Sequence, residues 1–287
     1  MNKSLWSAGL TAAALCSSFA GPLAARAQAV PSPAPASSPA ATTATDPCTS
    51  LTNLVSRPTF STSACVVKFA DLLIQTGYTN ATTGGNGANS VVTYPQANLG
   101  VGLGKNLEFD LAPESFARYS GTPSASGATD STIGFKYEFG YSSKAVAGVN
   151  AVYTLATGSA PFSGFGDGLL ANVNASYALS PALGLFASFG YNVQSAGAPG
   201  IPARYHDFQP SLGASLSLPQ SYTVFLEGFN QSSSGVGLGG RSGFDTGFQK
   251  DIGSRLQLDA NYFDYFGAQN GSRLHSLGFG ASYLIGS

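Results

Sequence analysis

The chain has 287 residues, of which 43% are hydrophobic and only 9% charged, with 36 Gly, 19 Phe and 13 Tyr. A formal net charge of −1 provides no basic surface for nucleic acid. No apolar run of the roughly 20 residues a spanning helix needs follows the N-terminus, which excludes a helical membrane protein.

The N-terminus carries the parts of a secretory signal. Lys3 supplies the positive start, Leu5 to Phe19 is an apolar and small-residue stretch, and Ala25-Arg26-Ala27 offers a cleavage site, with Ala27-Gln28-Ala29 close by. Cys16 follows Leu15 rather than a small residue, which argues against lipidation. Residues 1–27 are therefore expected to be a signal peptide. Residues 28–47, rich in Ala, Pro, Ser and Thr, are expected to be a disordered periplasmic leader, too poor in apolar surface to offset the entropy of ordering.

Cys48 and Cys65 are the two cysteines of the mature chain, and in an exported protein such a pair is most simply a disulfide. Closing that loop contributes about 3 kcal/mol in the chain-entropy model. Residues 48–68 are expected to form an N-terminal periplasmic segment tethered at the rim by this bond. Two cysteines so spaced, with only His206 and His275 in the chain, do not make a metal-ligand set, and neither metal nor cofactor is expected.

From Phe69 to Ile285 alternating segments of strand length recur about twelve times. In Thr132 to Tyr141, Ile133, Phe135, Tyr137, Phe139 and Tyr141 share one face, while Thr132, Gly134, Lys136, Glu138 and Gly140 share the other. The same alternation gives strands over Phe69–Thr79, Ser90–Leu103, Leu107–Arg118, Ala145–Thr157, Leu169–Leu179 and Leu183–Gln194. It continues over Phe208–Leu218, Tyr222–Gln231, Ser242–Lys250, Arg255–Phe266 and Leu274–Ile285. An apolar face on nearly every strand, opposite Gly, Ser, Asn and charge, fits a wall with lipid outside and a polar lumen inside. The fold expected over residues 69–287 is an all-β, transmembrane, antiparallel up-and-down barrel of about twelve strands. A soluble β-sandwich is the alternative, disfavoured by export, low charge and the connector pattern.

Short connectors such as Gly104-Lys105-Asn106, Ser142-Ser143-Lys144 and Ser180-Pro181-Ala182 alternate with longer ones such as Tyr119 to Asp130 and Ser195 to Asp207. Outer-membrane barrels place short turns in the periplasm and long loops outside, which puts both termini in the periplasm of a bacterial outer membrane. Strand-end Tyr141, Tyr177, Tyr222 and Tyr283 suit interfacial girdles in contact with outer-membrane lipid.

Several stretches resemble one family. Ser56-Arg57-Pro58-Thr59-Phe60-Ser61-Thr62-Ser63 is similar to the DRPDFTES motif of the outer-membrane family named for phenol-degradation pathway (MetA-like) transporters, with Ser56 where that family usually has Asp. Asn98 to Phe109, Asp130 to Tyr137, Leu256 to Asp259 and Leu277 to Tyr283 resemble the same family, so the likeness runs from about Leu54 to the C-terminus. It implies an outer-membrane protein moving small-molecule solutes, with aromatic or hydrophobic compounds the class its name suggests. Gly280-x-x-Tyr283-x-Ile285 resembles the insertion signal read by the barrel-assembly machinery, with Ile285 in place of the usual final aromatic.

No catalytic constellation stands out, and the chain is not read as an enzyme. A phospholipase-type barrel needs a serine activated by histidine. His275 and Ser276 are adjacent on one strand and point to opposite faces. His206 reads as a solvated loop residue, and Gly235 to Gly240 lacks the strand–loop–helix context of a phosphate loop. The segment before the barrel is too simple for an autotransported passenger. A solute channel and a structural or adhesive barrel remain.

Parity places Glu108, Asp110, Glu114 and Arg118 on one face of the third strand, and Lys136 and Glu138 on one face of the fourth. Antiparallel pairing is expected to bring Lys136 near Asp110 and Glu114, within one register step. All six are expected to face the lumen, with Glu227, Asp245 and Asp259 adding acid elsewhere. Two readings stay open: charges that brace a small polar interior, or a narrow acid-lined path favouring cations or neutral polar solutes over anions.

Overall fold

The computed structural model describes residues 46–83, 89–164, 166–195, 203–266 and 273–286. The signal peptide expected over 1–27 and most of the expected leader lie outside the described residues. In chain order the strands are β1 (Leu72–Thr83), β2 (Asn89–Tyr94), β3 (Asn98–Gly102), β4 (Leu107–Ala112), β5 (Phe116–Tyr119), β6 (Ala125–Ala128), β7 (Ser131–Tyr141) and β8 (Ala145–Leu155). They continue as β9 (Gly168–Ala178), β10 (Leu183–Ser195), β11 (Arg204–Leu218), β12 (Tyr222–Gln231), β13 (Arg241–Ile252), β14 (Leu256–Phe266) and β15 (Leu274–Ile285). All pair antiparallel with their neighbours, and β15 pairs back onto β1 along its whole length, from Leu72↔Ile285 to Thr83↔Leu274. The result is a closed barrel of twelve staves.

Twelve staves hold fifteen strands because three staves are interrupted. Continuous β1 pairs with β3 through Leu72–Gln75 and with β2 through Thr79–Thr83, so β2 and β3 are two halves of one stave. β4 and β5 form the next, and β6 and β7 the one after. Pro95 and Pro113 sit in the first two breaks, where a missing N–H cannot serve the ladder. The expected single strands Ser90–Leu103 and Leu107–Arg118 are therefore each split.

The breaks change parity. Thr93 pairs with Thr79, and Asn98 pairs with Gln75, so both face the lumen although an odd number of positions separates them. Ala112 and Ala117 repeat that spacing on the next stave, and Gly127 and Thr132 repeat it on the third. One extra residue enters each stave at the same level, and side chains beyond it swap faces.

Apart from a register shift between Glu138 and Gly140 where β7 meets β8, the alternation holds elsewhere. Phe135, Phe189, Leu212 and Phe279 are more than half exposed, whereas Lys136, Glu227, Gln257 and Ser282 on the opposite face are at most 2% exposed. A protein surrounded by water buries the first set and exposes the second; the reverse suits hydrocarbon outside. Among the described residues no helix is long and apolar enough to cross a membrane. The crossing elements are strands.

Candidate functional site

The lumen is occupied by the chain's own segment 46–68. It starts with a tight turn at Pro47–Thr49, where the Asp46 carboxylate accepts from the Cys48 amide at 2.8 Å, and a one-turn helix, α1 (Leu51–Leu54). Cys48 and Cys65 are joined, with their Cα atoms 5.3 Å apart, so the outgoing and returning legs are tied together. Cys48, Leu51, Leu54, Val55, Ala64, Cys65 and Val67 bury themselves against Leu73 of β1 and Val146 of β8. This is a small apolar core inside a polar barrel, and burial of each Leu or Val contributes about 1.5–3 kcal/mol. Residues 48–68 were expected at the periplasmic rim; the structure places them within the barrel. Inward Gly and Ser on the staves leave the room, and sequence alternation gives no account of what fills it.

Polar contacts fix the tip of the segment. The Phe60 amide donates to Glu227 Oε2 at 2.9 Å and to Asp245 Oδ2 at 3.0 Å, and the Ser61 amide donates to Glu227 Oε1 at 3.1 Å. Glu227 and Asp245 are direct partners on β12 and β13. Gln249 and Asn261 donate to the Arg57 and Pro58 carbonyls, and the Ser56 amide donates to Gln75. The Arg57 guanidinium lies 3.6 Å from Asp259 and donates to the Phe279 carbonyl. It fits because Gly77 and Gly280, paired across β1 and β15, leave space that a Cβ at either position would fill. On the returning leg the Val67 amide donates to Glu108 Oε2 at 2.6 Å, and Lys136 holds Oε1 at 3.0 Å. Near the short turns, Thr52 donates to Asp251.

The acids foreseen in the lumen are thus mainly acceptors for the segment's backbone. Glu108, Glu138, Glu227, Asp245 and Asp259 are all buried on the lumen face. Asp110 shares that face and accepts from Asn98 at 3.1 Å. The closest pairing of Lys136 is to Glu108, its direct cross-strand partner, one step from the expected Asp110. Two expectations are corrected. Arg118 pairs with Val92, which pairs with Asn80 on the outward face of β1, so the parity change after Pro113 turns Arg118 away from the lumen. Glu114 is exposed in the break itself and belongs to neither strand. Glu138 approaches the Cys48 and Cys65 sulfurs, but these are bonded to each other and are not thiolate ligands.

Aromatic contacts escaped the sequence reading. Phe60 stacks on Phe229 with ring centroids 4.2 Å apart, and Phe229 meets Tyr265 at 5.1 Å and Phe263 at 6.0 Å. Arg241 lies over the Tyr265 ring at 4.2 Å. Phe263 and Tyr265 border a cavity of about 330 Å³ on the long-loop side of the tip, between Arg57, Gln96 and Ser276. A second cavity, about 170 Å³, runs beside the segment between Val55, Ser61 and Ala64 on one side and Ser176, Phe186 and Ser215 on the other. The only available signal was Phe60 within the Arg57–Ser63 stretch, and inward Phe229 and Phe263 at positions where the pattern calls for polar residues.

No family model matches the chain, and no curated protein matches it in sequence. Among solved structures it is similar to a COG4313 outer membrane channel from Pseudomonas putida F1, with a TM-score of 0.58 and 13% identity over 77% of this chain and 97% of that one. It is also similar to the NanC porin, with a TM-score of 0.51 and 10% identity over 72% of this chain and 98% of that one. The likeness is one of fold. Ser276 and His275 add no hydrolase geometry: Ser276 is buried on the lumen face, whereas His275 faces outward and meets the Tyr262 hydroxyl at 2.7 Å. Gly280 lies on the lumen face of the closing strand, with Tyr283 and Ile285 exposed outside.

Proposed function

We propose that the protein is an outer-membrane channel for small solutes, narrowed by its own segment 46–68, with its short turns and both termini on the periplasmic side. The observation that carries this reading is how the lumen is filled. Strand side chains do not close it; a separate segment does, anchored along one wall and flanked by a cavity along the other. That asymmetry suits a restricted path rather than a solid pillar. The aromatic rings beside the tip support small aromatic or hydrophobic solutes, the class implied by the resemblance of Ser56–Ser63 to the phenol-degradation transporter family. On the same reading Gly280, Tyr283 and Ile285 form the signal presented to the barrel-assembly machinery.

A structural or adhesive barrel is the second reading, favoured by the bracing of Glu108 between Lys136 and Val67. The two part in a planar bilayer. Outer-membrane fractionation with heat-modifiable gel mobility first checks location; a channel then gives small, discrete conductance steps in the intact protein. Silence both in the intact protein and after removal of the segment supports the structural reading.

A further inference from the structure

The outer face of the barrel carries two similarly built clusters at its long-loop end. Arg204 and His206 share a face at the start of β11, and Arg273 and His275 share one at the start of β15. In each case a tyrosine of the preceding strand meets the histidine Nδ1: Tyr191 at 2.6 Å and Tyr262 at 2.7 Å. Each arginine also pairs with an aspartate, Arg204 with Asp167 and Arg273 with Asp264, and both arginine side chains stay more than half exposed.

What lies below them differs. Under the first cluster the outward side chains shrink: Val149 and Ala151 of β8 lie level with Val173 and Ala171 of β9. Phe135 and Phe189 rise on either side, leaving an apolar groove of about 510 Å³ that ends at Tyr191. Tyr191 therefore belongs both to the groove and to the polar cluster above it. Under the second cluster the outward residues of β14 and β15 include Leu277 and Phe279, both more than half exposed.

We propose that the β8–β10 groove with Arg204 and His206 at its head binds a phosphate-bearing, acylated lipid of the outer leaflet, an acyl chain in the groove and a phosphate at Arg204. This rests on the proposed orientation, which puts the long-loop end in the outer leaflet. Charge complementarity selects the occupant. A groove with an apolar floor takes an alkyl chain, and a guanidinium at its polar end takes an anionic oxygen, with the imidazole and tyrosine hydroxyls beside it. Asp167 is the competitor. Tyr153 donates to it at 2.8 Å, and this bond, with Arg204 adding, holds its carboxyl below the ordinary range. A phosphate must share Arg204 with that carboxylate.

The test is native mass spectrometry of the full-length mature protein in mild detergent, titrated with lipid A, dephosphorylated lipid A and inorganic phosphate. Arg204→Gln with His206→Gln is expected to weaken lipid A binding about tenfold, and Arg273→Gln with His275→Gln to leave it unchanged. Filling the groove with Ala171→Phe is expected to produce a loss of similar size, with Ala151→Phe as the second variant if the first fails to show heat-modifiable mobility. Asp167→Asn is expected to tighten binding, because it frees Arg204. Equal losses at the two clusters, unaltered binding after groove filling, or equal affinity for dephosphorylated lipid each overturn the proposal. Competition by inorganic phosphate as effective as by lipid A overturns it too, because that makes the site an anion site without the acyl groove. Lipid binding in detergent is read independently of conductance, so failure of the channel reading leaves a different signature.

Discussion

The segment inside the barrel meets two unlike walls. Toward β12–β15, β1 and β4 it faces carboxylates, amides and paired glycines, and beside the packing on Leu73 and the Phe60–Phe229 stack its contacts are hydrogen bonds or ion pairs to its backbone or to Arg57. Toward β9–β11 it faces Ser176, Gly184, Phe186 and Ser215 across a cavity, with no carboxylate among the lining residues. One wall holds and the other leaves space. Acids in a lumen therefore need not line a path: a buried carboxylate accepting two or three amides is an anchor, and its charge is spent on the segment it holds.

The strongest way to break this contrast is to delete residues 48–66. The anchoring wall then presents Glu108, Glu227, Asp245 and Asp259 to water against Lys136, so planar-bilayer recordings are expected to show a large rise in conductance together with cation selectivity. Conductance that rises without cation preference shows that these acids do not face the opened lumen.

A smaller effect separates two cations that sequence parity put on the same lining. Lys136→Gln removes the ammonium 3.0 Å from a fully buried Glu108. Losing one partner of a buried pair costs roughly 3–5 kcal/mol. Arg118→Gln on the outward face is expected to stay within about 0.5 kcal/mol. Urea or heat titration of the unfolding gel shift measures both, and equal effects mean that the face change after Pro113 is wrong.

The smallest effect probes the open wall. Ser215→Trp is expected to reduce wild-type conductance by occupying the cavity beside Ser61, while Leu216→Trp, next to it on the outward face of β11, leaves it unchanged. A blocked Leu216→Trp channel, or an unaffected Ser215→Trp channel, moves the path elsewhere.

Alternation alone determined the barrel, its twelve staves and the outward set led by Phe135, Phe189 and Phe279, because a strand's period of two sorts side chains locally, whatever the partner strand. The expected export and the isolation of two cysteines in the mature chain were likewise enough to foresee Cys48 and Cys65 as a pair. Tertiary structure decided the rest. Pairing with continuous β1 revealed the extra residue in three staves and so the direction of Arg118. Folding of 46–68 into the lumen decided that Glu227 and Asp245 accept from Phe60, that Gly77 and Gly280 make room for Arg57, and that Phe60 stacks on Phe229. Apart from Gly77 with Arg57, these contacts join residues more than 160 positions apart through space that no single strand defines, and local periodicity carries no record of what enters it.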